Sequence, residues 1–172
     1  MAGRTQAVQF VAREQAELVE LDRDDIPPAD TQIEARTLVS LISAGTELVG
    51  LYCGRNANVS YPRIPGYAAV LEVESVGSSV TAVGPGDRIF APAAHRLHQR
   101  LEESRVVPLP EGLSPEAAVF ARMVKVTMPS LVHTTVRPPE KCVVAGLGVV
   151  GLMAAQLAQF YGYEVLACEP DK

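Results

Sequence analysis

The chain has 172 residues, 48% of them hydrophobic and 20% charged, with a net charge of −5. Its basic residues are sparse and scattered, which argues against nucleic acid as a partner. No apolar run reaches the ~18 residues of a membrane span. The N-terminus also lacks a basic segment followed by an apolar stretch and a cleavage site, so the cytoplasm is the expected compartment. Cys53, Cys142 and Cys168 are widely spaced without a C-x-x-C pair. That argues against a disulfide framework and a structural zinc knot, and each is expected to be a buried or partly buried thiol.

The first ~110 residues read as strands joined by turns. Thr5 to Val11 predicts a short strand and Thr31 to Ser43 another, with Ile33, Ala35 and Leu38 among the inward positions. Tyr67 to Val76 continues the pattern into the turn Gly77-Ser78-Ser79. Val83-Gly84-Pro85-Gly86-Asp87 is a strong turn signal before Arg88-Ile89-Phe90-Ala91. Such spacing suggests a small barrel or a folded sheet. His95 to Arg100 is the one locally basic patch and is expected to be a solvated loop.

The character changes after Pro108-Leu109-Pro110. Ser114-Pro115-Glu116 is a helix start: a serine at the N-cap, proline at the first helical position and an acid in the first turn. Ala118, Val119, Met123 and Val126 carry a helix toward Pro129, which is expected to end or kink it, with a second helical stretch over Ser130 to Thr135. A domain boundary is placed near Leu113, dividing residues 1–113 from 114–172.

Lys141 to Gly151 is an apolar strand ending in G-x-G-x-x-G and followed by the helix-like Leu152 to Gln159. In a dinucleotide-binding turn Gly146 allows the tight bend, Gly148 lets the backbone approach a pyrophosphate, and Gly151 lets the helix pack on the strand. The helix N-terminus at Val149 and Val150 then faces the phosphate charge. The next apolar strand, Tyr163 to Cys168, ends in Glu169, 23 residues after Gly146. That is close to the roughly 20-residue offset of a ribose-binding acid. A glycine-rich turn without a ligand, with Glu169 a plain strand-end carboxylate, is the alternative.

Only one β-α-β unit fits before Lys172, whereas a doubly wound domain needs two halves with helices on both faces. The fold class is therefore mixed β and α/β, with an incomplete nucleotide-binding unit. Either the sequence is part of a protein of roughly twice this length, or another chain or the first domain covers the terminal unit. The apolar strand pair has an open edge and an uncovered face, so the chain is expected either to associate through this edge, as a homo-oligomer, or to have a poorly ordered C-terminal unit. A single half of the sheet is also expected to bind NADH weakly or not at all.

Four segments in this order resemble the medium-chain dehydrogenase/reductases, the zinc-type alcohol dehydrogenase superfamily. They are Ile42-Ser43-Ala44-Gly45-Thr46-Glu47, Tyr61-Pro62-Arg63-Ile64-Pro65-Gly66-Tyr67, Glu74-Ser75-Val76-Gly77 with Val83 to Ile89, and the glycine motif. The resemblance covers nearly the whole chain. It implies a GroES-like β domain over 1–113, linking helices and an incomplete nucleotide-binding domain over 114–172, and an active site in the cleft between. In that family a C-terminal segment usually completes the first domain, and none is present here.

The departures bear on chemistry. Zinc members place a Cys where Ala44 stands and a His where Tyr67 stands; the third ligand falls at Ala121, and the Glu after the lost His is Ala68. Methyl groups cannot coordinate zinc and a lone phenol is a poor ligand, so no metal is expected at the family position. The stretch Ala91 to Glu103, where the structural zinc lobe belongs, has no cysteine.

Without that Lewis acid another group must handle the proton. Thr46 matches the family hydroxyl that touches the substrate oxygen. Tyr67 could donate a proton to a developing alkoxide, with Lys125 a candidate cation nearby. Alternatively Tyr67 packs in a core or lines the site wall, Thr46 caps a helix before Glu47-Leu48-Val49, and Lys125 is solvated. The resemblance implies a zinc-independent oxidoreductase moving a hydride between a nicotinamide cofactor and a small-molecule alcohol or carbonyl substrate. Glu169 would accept two ribose hydroxyls and repel a 2′-phosphate, so NAD(H) is expected in preference to NADP(H), which stays open. Pro170-Asp171 adds a second carboxylate. A reductase-like scaffold serving a non-redox step and a non-catalytic truncated module are the other readings. The segment Gly50 to Asn58 is expected to contribute to a substrate pocket.

Overall fold

The computed structural model describes residues 3–23 and 25–170, and Asp171 lies outside them. The chain divides into two compact units, Met1–Val119 and Phe120–Lys172.

The first unit opens with a hairpin, β1 (Gly3–Ala12) and β2 (Gln15–Arg23). β2 was not anticipated. Its side chains are mostly exposed, Leu18 included. The reversal before it is made by Glu14 at φ 59°, without glycine or asparagine, so neither burial alternation nor turn chemistry marks it. Isolated bridges join Ala7 to Arg96 and Phe10 to Arg63.

Five antiparallel strands follow: β3 (Gln32–Ser40), β4 (Ala69–Val76), β5 (Arg88–Ala91), β6 (His98–Glu102) and β7 (Val107–Pro108). Their order is β6-β3-β4-β5-β7. β3 stops at Ser40, short of the expected Ser43, because Ser43 caps a helical segment. Ala69, Leu71 and Val73 of β4 enter one apolar cluster with Ile33, Ala35, Ile89 and Leu101. Val70 and Ala68 enter a second with Ala118 and Val119. The period of two thus sends successive β4 side chains into two cores. Each fully buried Ile or Leu contributes roughly 1.5–3 kcal/mol.

The patch at 95–100 is not a solvated loop. β6 begins at His98 and pairs with β3 through Arg36↔His98, Ala35↔Gln99, Glu34↔Arg100, Ile33↔Leu101 and Gln32↔Glu102. His95 and Gln99 are buried, and the basic groups answer acids. Glu34, 6% exposed, accepts from Arg23 Nε at 3.1 Å and Arg100 Nε at 2.7 Å. Arg23 also donates to Glu74 at 2.6 Å. A buried carboxylate needs such pairing, and here it ties β2 to β3, β4 and β6.

Around the short α1 (Pro115–Ala118), Ser114 Oγ accepts from the Ala117 amide, the predicted cap. The second unit holds α2 (Ala121–His133), β8 (Lys141–Ala145), α3 (Val149–Phe160) and β9 (Glu164–Cys168). α2 runs through Pro129 and does not end there. A proline removes one amide bond. Here α2 packs against α3, and the Thr127 hydroxyl donates to the Met123 carbonyl at 3.1 Å and the Ser130 hydroxyl to the Thr127 carbonyl at 2.7 Å. β8 and β9 are parallel, Cys142↔Val165 to Ala145↔Cys168, with Val143 and Leu166 exposed. Cys168 is exposed too, contrary to expectation. Among the described residues no helix is long and apolar enough to cross a membrane.

His98 reports on the ion network. Its Nδ1 meets Thr5 Oγ1 at 3.2 Å and its Nε2 lies 3.5 Å from Glu74. Burial first, then the Arg23 guanidinium, hold it below the ordinary 6.5; Glu74 and Glu34 pull upward and Arg36 adds to the lowering. The unfolded chain therefore takes up this proton at higher pH than the folded chain does. The contribution is complete above about pH 6.5 and is lost as pH falls through that value toward the folded one. Denaturant midpoints at about pH 8 and about pH 5.5 should fall more for the wild type than for His98→Gln. Equal falls would show that His98 does not carry this dependence.

Candidate functional site

The glycine turn of the second unit is built as a dinucleotide turn requires. Gly146 has φ +89°, a conformation L side chains rarely adopt. Its amide donates to the Cys168 carbonyl at 2.8 Å, binding the turn to the end of β9. A Cβ on Gly151 would lie 1.8 Å from the Gly146 carbonyl oxygen, so the third glycine permits the close helix packing. Gly148, the N-cap of α3, makes no side-chain cap bond. A Cβ there would meet nothing within 4 Å. Val149 and Val150 are exposed beside it. The open side of Gly148 and the first amides of α3 together fit an anionic group.

Glu169, far from the turn in sequence, is brought against it: its Oε2 accepts the Leu147 amide at 2.5 Å. That bond closes the turn onto the end of the second strand of the unit.

In the first unit Thr46 lies on a helical segment, Ala44–Tyr52, wound wider than an α-helix. Leu48 N donates to the Ser43 carbonyl at 3.1 Å and Cys53 N to the Leu48 carbonyl at 2.8 Å, both five residues back. The cap is Ser43, whose Oγ accepts the Thr46 amide at 3.1 Å. Thr46 itself is exposed. Tyr67 is half-buried at the bend before β4. Gly66 ahead of it has φ +124°, and a Cβ there would come within 2.5 Å of Ala94 Cα and His95 N. Lys125 is exposed on α2. A surface hollow beside the Gly50 to Asn58 segment is lined by Leu51, Asn56, Ala57, Asn58, Val59 and Arg63.

Sequence reasoning missed a buried polar chain beside Thr46. Glu47 is 2% exposed and His95 8%. Glu47 Oε2 accepts the Ser43 amide at 2.7 Å, and Oε1 lies 3.0 Å from His95 Nε2. His95 Nδ1 lies 2.8 Å from Ser40 Oγ. A carboxylate only accepts, so Nε2 is the protonated nitrogen facing it. The one sequence signal was an acid four residues after the capping Ser43; nothing in the spacing links residue 47 to residue 95.

Of the three positions matched above to the family's zinc ligands, Ala44 and Ala121 are exposed and Tyr67 is half-buried; Ala68, which follows Tyr67, is fully buried. Among the described residues no three His, Cys, Asp or Glu side chains gather so as to hold a metal ion.

A β unit followed by a glycine-turn β-α-β unit defines the class, and comparison with known proteins agrees with it. No family model matches the chain. Zinc-type alcohol dehydrogenase-like proteins of Staphylococcus aureus are 28% identical over 120 residues, covering 61% of this chain and 36% of theirs. Alcohol dehydrogenase TADH from Thermus sp. ATN1 superposes with a TM-score of 0.80 at 25% identity, covering 95% of this chain and 57% of that one. CAD from Helicobacter pylori, complexed with NADP(H), gives 0.82 at 16% identity, covering 97% of this chain and 59% of that one. The chain is similar to medium-chain dehydrogenase/reductases in sequence and in fold, and it spans about a third of the length of the curated relatives it matches.

The two glycines separate cofactor contact from folding. In the full-length protein Gly148→Val should fill the open side of the turn and weaken NADH binding at least about tenfold, with the fold retained. Gly151→Ala should destabilise the unit through the carbonyl clash. Fluorescence titration with NADH and thermal melting read the two effects, and unchanged NADH affinity in Gly148→Val would make the motif structural.

Proposed function

We propose that the full-length protein is a zinc-independent oxidoreductase that moves a hydride between NAD(H) and an alcohol or carbonyl substrate. The observation that carries this is Glu169 drawn onto the glycine turn at Leu147 N, beside an open Gly148. The alcohol dehydrogenases among its relatives support the reaction class, and the NADP(H) of the Helicobacter pylori protein supports a nicotinamide cofactor. In this reading residues 1–113 form the substrate domain and 114–172 begin the nucleotide-binding domain.

When bound, the nicotinamide supplies or accepts the hydride. Gly146, Gly148 and Gly151 with the amides of Val149 and Val150 would hold the pyrophosphate, and Glu169 would accept ribose hydroxyls. Its charge disfavours a 2′-phosphate, which supports NAD(H) here although that relative holds NADP(H). Thr46 presents its exposed hydroxyl to the substrate oxygen, and Tyr67 gives its phenolic proton to the alkoxide formed as the hydride adds to the carbonyl carbon, or takes it back in the reverse direction.

NADH should bind the full-length protein more tightly than NADPH, and Glu169→Ala should narrow the gap. Equal or tighter binding of NADPH by the wild type would end the NAD assignment. Thr46→Ala and Tyr67→Phe should each lower kcat about a hundredfold or more with NADH affinity kept. Activity should survive chelation, with no stoichiometric zinc by elemental analysis. Zinc lost together with activity would overturn the metal-free reading.

A further inference from the structure

We infer that His95 is the positioning residue of this site, a buried post that fixes Thr46 relative to Tyr67; the inference rests on the catalytic roles proposed above. It acts by two routes. Through its side chain it reaches the Thr46 segment: Nε2 holds Glu47 Oε1 at 3.0 Å, while Glu47 Oε2 holds the Ser43 amide at 2.7 Å. Ser43 Oγ in turn takes the Thr46 amide at 3.1 Å. Through its backbone it reaches the Tyr67 segment. Its amide donates to the Pro65 carbonyl at 2.8 Å, and Gly66 lies so close to it that even a Cβ has no room. Tyr67 is the next residue.

The physical need for such a post lies in the wide helical winding of 44–52. Winding of this kind has little stability of its own and recurs at functional sites. Its first turn is anchored by the buried Glu47, whose carboxylate is costly to bury unless both oxygens are answered. Removing the imidazole leaves Oε1 unanswered, so Glu47 must leave the interior and take the Ser43 cap with it. Ser40 Oγ at 2.8 Å from Nδ1 sets the ring's tilt, so that Nε2 faces the carboxylate. His95 with Glu47 thus ties the two segments together within the protein.

The test uses the full-length protein with His95→Phe, which removes both side-chain bonds and keeps the backbone ones. Amide exchange over residues 43–53 should accelerate at least about tenfold while β4 and β5 stay protected. Turnover of NADH with acetaldehyde, benzaldehyde or cyclohexanone should fall about tenfold to a hundredfold in kcat, with KM for NADH unchanged. His95→Gln, which keeps a donor for the carboxylate, should recover to within about threefold. Because the effect passes through Thr46, adding His95→Phe to Thr46→Ala should cost nothing further. Wild-type exchange over 43–53 in folded His95→Phe, or additive losses in the double variant, would overturn the inference. Should His95→Phe not fold, His95→Asn, polar but too short to reach Glu47, carries the same readouts with the same outcomes. Full turnover by Thr46→Ala, or none with any of the three carbonyls, counts against the catalytic reading instead, and the exchange result then decides by itself whether His95 holds the segment.

Discussion

β4 has no face it can turn to water at its N-terminal half, and much of the first unit answers that constraint. Ala68 to Leu71 are all fully buried, so the strand must be covered on both sides and paired along both edges. β3 and β5 supply the edges. One cluster fills one side, and α1 with Val119 closes the other. The bend carrying Gly66 and Tyr67 leads straight into this strand, so the most constrained backbone of the unit anchors a proposed site residue. That is how a site gains precision from a rigid scaffold.

The same constraint meets a different outcome at β8 and β9. Their side chains are apolar without alternation, as in a parallel sheet buried on both faces. Yet Val143 and Leu166 are each 67% exposed. α3 covers one side alone among the described residues of that unit. The turn at its end is nevertheless fully formed, because Gly146, Gly151 and Glu169 are positioned by bonds within the β-α-β unit itself. Local hydrogen bonding shapes the glycine turn, whereas coverage of the sheet is a separate matter of packing.

How much of this the sequence revealed depended on whether the signal was local. The Ser114 cap, the 83–87 turn, β5 and the glycine turn were legible because each is written in neighbouring residues whose backbone needs are specific. β2 was not, since an exposed strand after a non-glycine reversal has neither burial pattern nor turn signature. The 95–100 patch misled because charge density was read as solvation, when the acids that answer it, Glu34, Glu47 and Glu74, come from other elements. Pro129 does not end α2, for the opposite reason. A strong local rule was outweighed by packing of α2 on α3 and by hydroxyls bonding the surrounding turns. Thr46, Tyr67 and the glycines were named from pattern, but Ser40 and His95 were out of reach, since only the tertiary fold joins them to Glu47.

The two buried carboxylates show why polar groups are retained inside this unit. Glu34 is answered by two guanidiniums, each able to donate in a planar fork, and it joins strands that hydrophobic contact alone would hold less specifically. Glu47 is answered by one imidazole and one amide, a smaller and more directional set. An arginine in place of His95 would meet the charge of Glu47 but bring a longer, forked head into a space bounded by Ser40 and the Gly66 backbone. An imidazole fits because its two nitrogens point in different directions, one to a hydroxyl on β3 and one to the carboxylate on the wide helical turn. The choice of residue at 95 therefore follows from geometry more than from charge. It places a rigid two-ended linker where the strand, the helical turn and the Gly66 bend converge.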